Sequence, residues 1–147
     1  MRWLILFAML LGAAYAHSES FIALNKRQSG TQFMAASTQA MQNDDTANPG
    51  MLWVKDGEAL WQRSTEGNQK SCASCHTPSS MKGVAARYPA FDDVLKRPIT
   101  LSQRINQCRQ KHQQADPLRF ESRDLLGLES YVAHQSRGLP VDRKSVV

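Results

Sequence analysis

The sequence predicts a mainly α protein with one domain. Two observations carry that prediction. Apolar residues recur at helical spacing in three separate segments. Two of those segments open on residues suited to cap a helix N-terminus. A third observation says where the chemistry lies: Cys72-Ala73-Ser74-Cys75-His76, with no strand-rich stretch before it.

From the N-terminus, Arg2 supplies a positive charge and Trp3 to Ala14 is an apolar run too short to span a bilayer comfortably. Ala14-Tyr15-Ala16 is a small-x-small cleavage site before His17, so residues 1–16 read as a secretory signal peptide. The rival reading is an uncleaved membrane anchor. Residues 17–47 are polar, rich in Gln, Ser and Thr, and read as an extended lead-in segment. Asn48-Pro49-Gly50 is a turn.

From Met51 to Gln62, Trp53, Gly57, Leu60 and Trp61 fall at i, i+4, i+7 and i+8, which is helical spacing. Gly67 and Asn68 break it. Residues 77–98 contain Pro78, Gly83, Pro89 and Pro98 and read as mostly loop. Thr100-Leu101-Ser102-Gln103 matches a capping box, with Leu101, Ile105 and Cys108 following on one apolar face. Pro117 separates this helix from the last. Ser122 is the expected N-cap there, Leu125, Leu128 and Val132 the buried stripe, and Gly138 and Pro140 the stop.

The spacing C-x-x-C-H is the attachment site of a c-type haem. Each thiol can add across a haem vinyl group, and the adjacent His76 is placed as proximal iron ligand. A redox dithiol would need a βαβ setting, and a zinc half-site would need a second ligand pair where only Cys108 remains. Export agrees with this reading, because bacterial c-type haem is attached outside the cytoplasm. A helix before the motif, loops around it and a helix at the end is the plan of a class I cytochrome c. The haem domain is expected over residues 48–141, with 142–147 as a short tail.

The net charge is +5, with the basic residues scattered rather than massed, so a nucleic-acid partner is not expected. A basic surface suits anions or an acidic protein, or is simply a solvated face.

The sixth iron ligand sets the chemistry. Met81 lies only five residues past His76, too close to cross the ring easily. Met34, Met41 and Met51 precede the motif. His134 falls off the apolar face of its helix and is expected to be solvated. His112 roughly shares the face of Cys108 and stays open. Cys108, buried by pattern and flanked by Arg104 and Arg109, is a candidate thiolate ligand; the alternative is a small buried hydrophobe.

Longer motifs bear on that choice. The lead-in Thr38-Gln39-Ala40-Met41-Gln42-Asn43-Asp44-Asp45 precedes Asn48-Pro49-Gly50-Met51, and Gly57-Glu58-Ala59-Leu60-Trp61 stands before the cysteine motif. Met81-Lys82-Gly83-Val84 and Arg87-Tyr88-Pro89-Ala90-Phe91-Asp92 follow it, then Ile105-Asn106-Gln107-Cys108-Arg109, Glu121-Ser122 and Gln135-Ser136-Arg137-Gly138-Leu139-Pro140-Val141. In these the chain resembles SoxA, the cytochrome subunit of the SoxAX complex of bacterial thiosulfate oxidation. The resemblance implies Cys72 and Cys75 as thioethers to one haem c, and His76 and Cys108 as axial ligands. It implies a periplasmic subunit of an L-cysteine S-thiosulfotransferase, which couples thiosulfate oxidatively to a cysteine of the SoxYZ carrier, with SoxX as partner cytochrome.

SoxA proteins have two cytochrome-like domains, with the active-site haem in the second. This sequence resembles the first, and its tail lies where the second would begin. The expected role is therefore electron transfer or structural, with no catalytic residue assigned. The alternatives are a stand-alone monohaem electron carrier, and uptake of thiosulfate by Cys108 itself.

Overall fold

A computed structural model describes Lys26 and residues 28–139. The expected signal peptide and the 142–147 tail lie outside the described residues, as does Pro140. The chain divides into two units, one ending at Asn43 and the other beginning at Asp44.

In the first unit, a 3-10 turn spans Gly30–Phe33, with the Ser29 hydroxyl accepting from the Thr31 N–H, and helix α1 spans Ala36–Asn43. The lead-in expected to be extended is thus helical over this stretch. The helix has no buried residue, so it carries no apolar stripe for periodicity to detect. Alanine, glutamine and methionine form it by propensity.

The second unit opens with a turn in which the Asp44 carboxylate accepts from the backbone N–H and hydroxyl of Thr46. The Asn48 side chain then accepts from the Gly50 N–H at 2.9 Å. Helix α2 follows over Met51–Gln62 and ends where Arg63 turns extended. Helix α3 spans Leu101–His112 behind a complete capping box: Thr100 Oγ1 accepts from the Gln103 N–H at 3.3 Å, and Gln103 Oε1 accepts from the Thr100 N–H at 2.9 Å. Its last turn carries Arg109, Lys111 and His112, the favourable sign for a helix C-terminus. Helix α4 spans Arg123–His134, with Ser122 as N-cap accepting from the Leu125 N–H.

The closest approach is between α2 and α4. A Cβ at Gly57 would stand 1.9 Å from the Gly127 carbonyl oxygen and 2.8 Å from Tyr131 Cβ. No side chain fits there, so the two backbones meet at that point. Gly57, taken from the sequence as part of an apolar set, is needed for its missing side chain. Around this crossing Trp61, Leu101, Leu128, Tyr131 and Val132 form the buried core. Trp53, expected on the buried face, is 41% exposed.

Residues 77–98 hold more order than their prolines suggest. Two short 3-10 turns, Pro78–Met81 and Ala85–Arg87, lead into an antiparallel hairpin of β1, Ala90–Asp92, and β2, Arg97–Ile99. Three-residue strands are too short for an alternation signal. Asp92 closes the turn, its Oδ1 accepting from Leu95 N–H at 2.8 Å and Val94 N–H at 3.0 Å. Its Oδ2 accepts from Gln107 Nε2 at 3.3 Å and lies 3.1 Å from an Arg104 nitrogen. One buried carboxylate therefore ties the hairpin to α3.

His134, expected to be solvated, is half-buried. Its Nε2 has no hydrogen-bond partner and lies 3.7 Å from Asp45 Oδ2, while Arg137 also pairs with Asp45. The helical wheel missed this because Asp45 comes from the distant segment before α2.

Two outcomes follow. Gly57→Ala is expected to cost about 3 kcal/mol or more, because backbone rather than a flexible side chain must give way; thermal denaturation checks it. For Asp92, the hydrogen bond from Leu95, with those from Gln107 and Val94 and the Arg104 charge, holds the carboxyl below the usual aspartate value of 3.8 despite burial. A depressed folded value gives stability that is present above the unfolded value and lost as pH falls through the folded one. Asp92→Asn should lower stability at neutral pH and flatten its decline at acid pH, read from denaturant midpoints across pH.

Candidate haem site

The cysteine motif folds as one turn of helix. Cys75 N–H donates to Cys72 C=O at 3.2 Å and His76 N–H to the same oxygen at 3.0 Å. Positions i, i+3 and i+4 of a helical turn share a face, so Cys72, Cys75 and His76 are presented together. The turn is braced from both sides. Ser71 and Ser74 exchange bonds, Ser74 N–H to Ser71 Oγ at 3.1 Å and Ser71 N–H to Ser74 Oγ at 3.0 Å. Ala73 N–H donates to the Trp61 carbonyl at the end of α2.

These side chains line a cavity of about 630 Å³, whose other walls come from Trp61 of α2, Ser71, residues 80–88, α3 with Gln113 after it, and Val132 of α4. Cys108 lines it from α3, one turn after Arg104. The cavity therefore brings together all four residues singled out in the sequence. Met81 and His112 line it too, while Met51 does not; Met34 and Met41 are exposed on the first unit. Cys108 is half-buried rather than buried, because its face of α3 looks into the cavity.

Trp61 ties the motif to the core. Its ring centroid lies 6.1 Å from that of His76 and 5.4 Å from that of Tyr131, both tilted. Its Nε1–H is buried and has no partner, as has Oε1 of Gln113, and both residues line the cavity. Gln113 Nε2 stands 3.5 Å from Cys72 Sγ.

Burial pushes the Cys72 thiol up, against the Gln113 hydrogen bond and the Arg109 charge. Burial likewise pushes the Cys108 thiol up, and the charges of Arg104 and Lys111 offset this only partly. The sequence suggested that nearby cations would favour a Cys108 thiolate; in the fold, desolvation outweighs them. A thiolate there depends on a metal's own charge.

A haem c fits this arrangement. The volume lies in the range of small-molecule sites, the walls are largely apolar, and the orphaned donor and acceptor await a polar ligand. The three cysteines are free of disulfides. Among the described residues, no group of three or more His, Cys, Asp or Glu side chains is gathered as a metal cage would need.

The sequence reading missed Trp61 and Arg87 as cavity walls, and noted Arg104 only as a neighbour of Cys108. Trp61 was recognisable as a helical core position, but nothing local marks which of its edges stays unsatisfied.

Comparison with known proteins agrees with the geometry. The family model described as SoxA/TsdA, cytochrome c domain, matches residues 56–141. The L-cysteine S-thiosulfotransferase subunit SoxA of Pseudaminobacter salicylatoxidans is 43% identical over 115 residues, covering 77% of this chain and 40% of that protein. The thiosulfate dehydrogenase of Thiomonas intermedia is 30% identical over 128 residues, covering 78% of this chain and 40% of that protein. The crystal structure of SoxXA from P. pantotrophus superposes with a TM-score of 0.71 at 31% identity, covering 78% of this chain and 44% of that one. The chain thus spans about two fifths of the length of these curated relatives. It belongs to the SoxA/TsdA cytochrome c domain family, a class I cytochrome c-like fold carrying covalently bound haem c.

Proposed function

We propose that this domain is the N-terminal haem half of a SoxA-type cytochrome, with an electron-transfer or structural role in the SoxAX thiosulfate-oxidising enzyme. The observation that carries the reading is the single cavity lined by Cys72, Cys75, His76 and Cys108. In this reading Cys72 and Cys75 would hold the haem through thioethers, and His76 and Cys108 would be the residues that bind its iron. The bound group supplies one-electron chemistry at iron.

The chain's own residues do the rest. The braced 72–76 turn keeps both sulfurs and the imidazole on one face. Trp61, Leu101, Ile105 and Val132 exclude water from the same cavity. Arg104 and Lys111 partly offset the burial that holds Cys108 as a thiol, so the iron's own charge would complete its ionisation. A thiolate ligand donates strongly to iron and lowers the potential below that of a His/Met haem.

The wider assignments belong to this reading: export by residues 1–16, a periplasmic location, SoxX as partner cytochrome, and SoxYZ and thiosulfate as reactants. The net charge of +5 is the right sign for an anionic substrate or an acidic partner. Among the described residues no helix is long and apolar enough to cross a membrane. The second reading is a stand-alone monohaem electron carrier.

The test is the mass of the exported, haem-matured protein together with thiosulfate coupling to SoxYZ in the presence of SoxX. The expected result is one haem on a chain beginning at His17 and no turnover by this chain alone. Turnover by the purified chain would make the Cys108 haem an active site and overturn the proposed role.

Two substitutions probe the ligands. Cys108→Ala should change the oxidised absorption spectrum and raise the potential; an unchanged spectrum excludes ligation and leaves His112 and Met81, which share the cavity, as candidates. His76→Ala should perturb the spectrum by removing the proximal ligand, while both thiols remain available for thioether formation. Cys72→Ala or Cys75→Ala should instead weaken attachment, read as haem retained after denaturation.

A further inference from the structure

The haem cavity is unbalanced in charge. Arg87, Arg104 and Arg109 line it, and no aspartate or glutamate does. Apart from these cations the lining is mostly apolar, with one buried indole N–H, that of Trp61, lacking a partner. A cavity of this character suits an apolar ligand that carries carboxylates. Haem is such a ligand: its two propionates are its only anionic substituents.

The three arginines are not equivalent. Arg109 is engaged by its own chain, Nε donating to the Asp116 carbonyl at 3.1 Å. Arg87 is exposed at the cavity and makes no ion pair among the described residues. Arg104 is held in place. One of its terminal nitrogens lies 3.1 Å from Asp92 Oδ2, and Asp92 is 4% exposed and fastened by Leu95, Val94 and Gln107. A guanidinium has five N–H donors in a rigid fork, so the contact with Asp92 tethers one end and leaves other donors for a second carboxylate.

We propose that Arg104, oriented by the buried Asp92, is the anchor for a haem propionate in this domain, and that Arg87 supplies the second cation. Asp92 is a positioning residue and touches no haem atom in this arrangement. The inference rests on the reading that haem occupies this cavity. It gives the hairpin a function: β1 and β2 deliver the carboxylate that aims the arginine. A cation beside a propionate stabilises the reduced haem, which carries one less positive charge.

The experiment compares haem-matured wild type with Arg104→Gln, Arg104→Lys, Arg87→Gln and Asp92→Asn. Covalent haem is read after denaturation. The propionate bending bands are read by resonance Raman, and the midpoint potential is read against pH. Arg104→Gln is expected to keep its haem, shift the propionate bands, and lower the reduced-to-oxidised ratio at fixed poise by about fivefold. The inflection of potential with pH should move upward, because an unpaired propionate protonates more readily. Arg104→Lys should restore part of each change, and Arg87→Gln should give smaller changes of the same sign. Asp92→Asn should shift the propionate bands by less in the same direction, while the loss of its own negative charge offsets the fall in potential. If Arg104→Gln does not fold, Arg104→Lys and Asp92→Asn carry the same comparison.

Retained haem with unshifted propionate bands overturns the proposal, even if the potential moves, since that would be a charge acting at a distance. Absence of covalent haem in the wild type overturns instead the haem reading on which it rests.

Discussion

The backbone contact of Gly57 with Gly127 is the constraint on which the rest of this domain depends. Two helices distant in sequence meet with no side chain between them. That closeness sets Trp61, one turn further along α2, against Tyr131 of α4. Trp61 in turn stands beside His76 and receives the motif's Ala73 N–H on its carbonyl. The position of the 72–76 turn is thus inherited from a helix crossing made elsewhere.

On that frame the site has two halves of different origin. Cys72, Cys75 and His76 are neighbours by covalent connection, and a single helical turn is enough to align them. Cys108 arrives from a helix whose start is set by the Thr100–Gln103 capping box and whose side contacts run through Asp92 and Asn106. The Asn106 side chain bonds both ways to Leu118, which holds the connection between the third and fourth helices against the third. Small changes in that helix's docking would move the second axial candidate without disturbing the first.

The electrostatics follow the same division. Burial dominates at both Cys72 and Cys108, and the surrounding cations only temper it. The cations therefore serve better as partners for a ligand's anionic groups than as activators of a free thiol. Asp92 keeps one of them from drifting into solvent. A domain that covers two fifths of its relatives nevertheless holds a self-consistent cofactor cavity, with its walls, donors and charges all supplied from residues 61–132.

Much of this was legible in the sequence, for physical reasons that differ by element. The second, third and fourth helices bury an apolar face or carry a capping residue, so their period and their starts are written locally. The first helix buries nothing, and the hairpin strands are three residues long, so neither leaves a periodic trace. That Cys72, Cys75, His76 and Cys108 share one cavity was legible because the first three are near neighbours in sequence and because Cys108 lies on the same face as Leu101 and Ile105. The sequence by itself determined the covalent grammar: which thiols and which imidazole share a turn, and where the main helices begin. Only the tertiary structure decided that Gly57 is a contact point, that His134 leans on Asp45, and that Asp92 aims Arg104 at the cavity. Those depend on through-space neighbours far apart in the chain, which local periodicity does not encode.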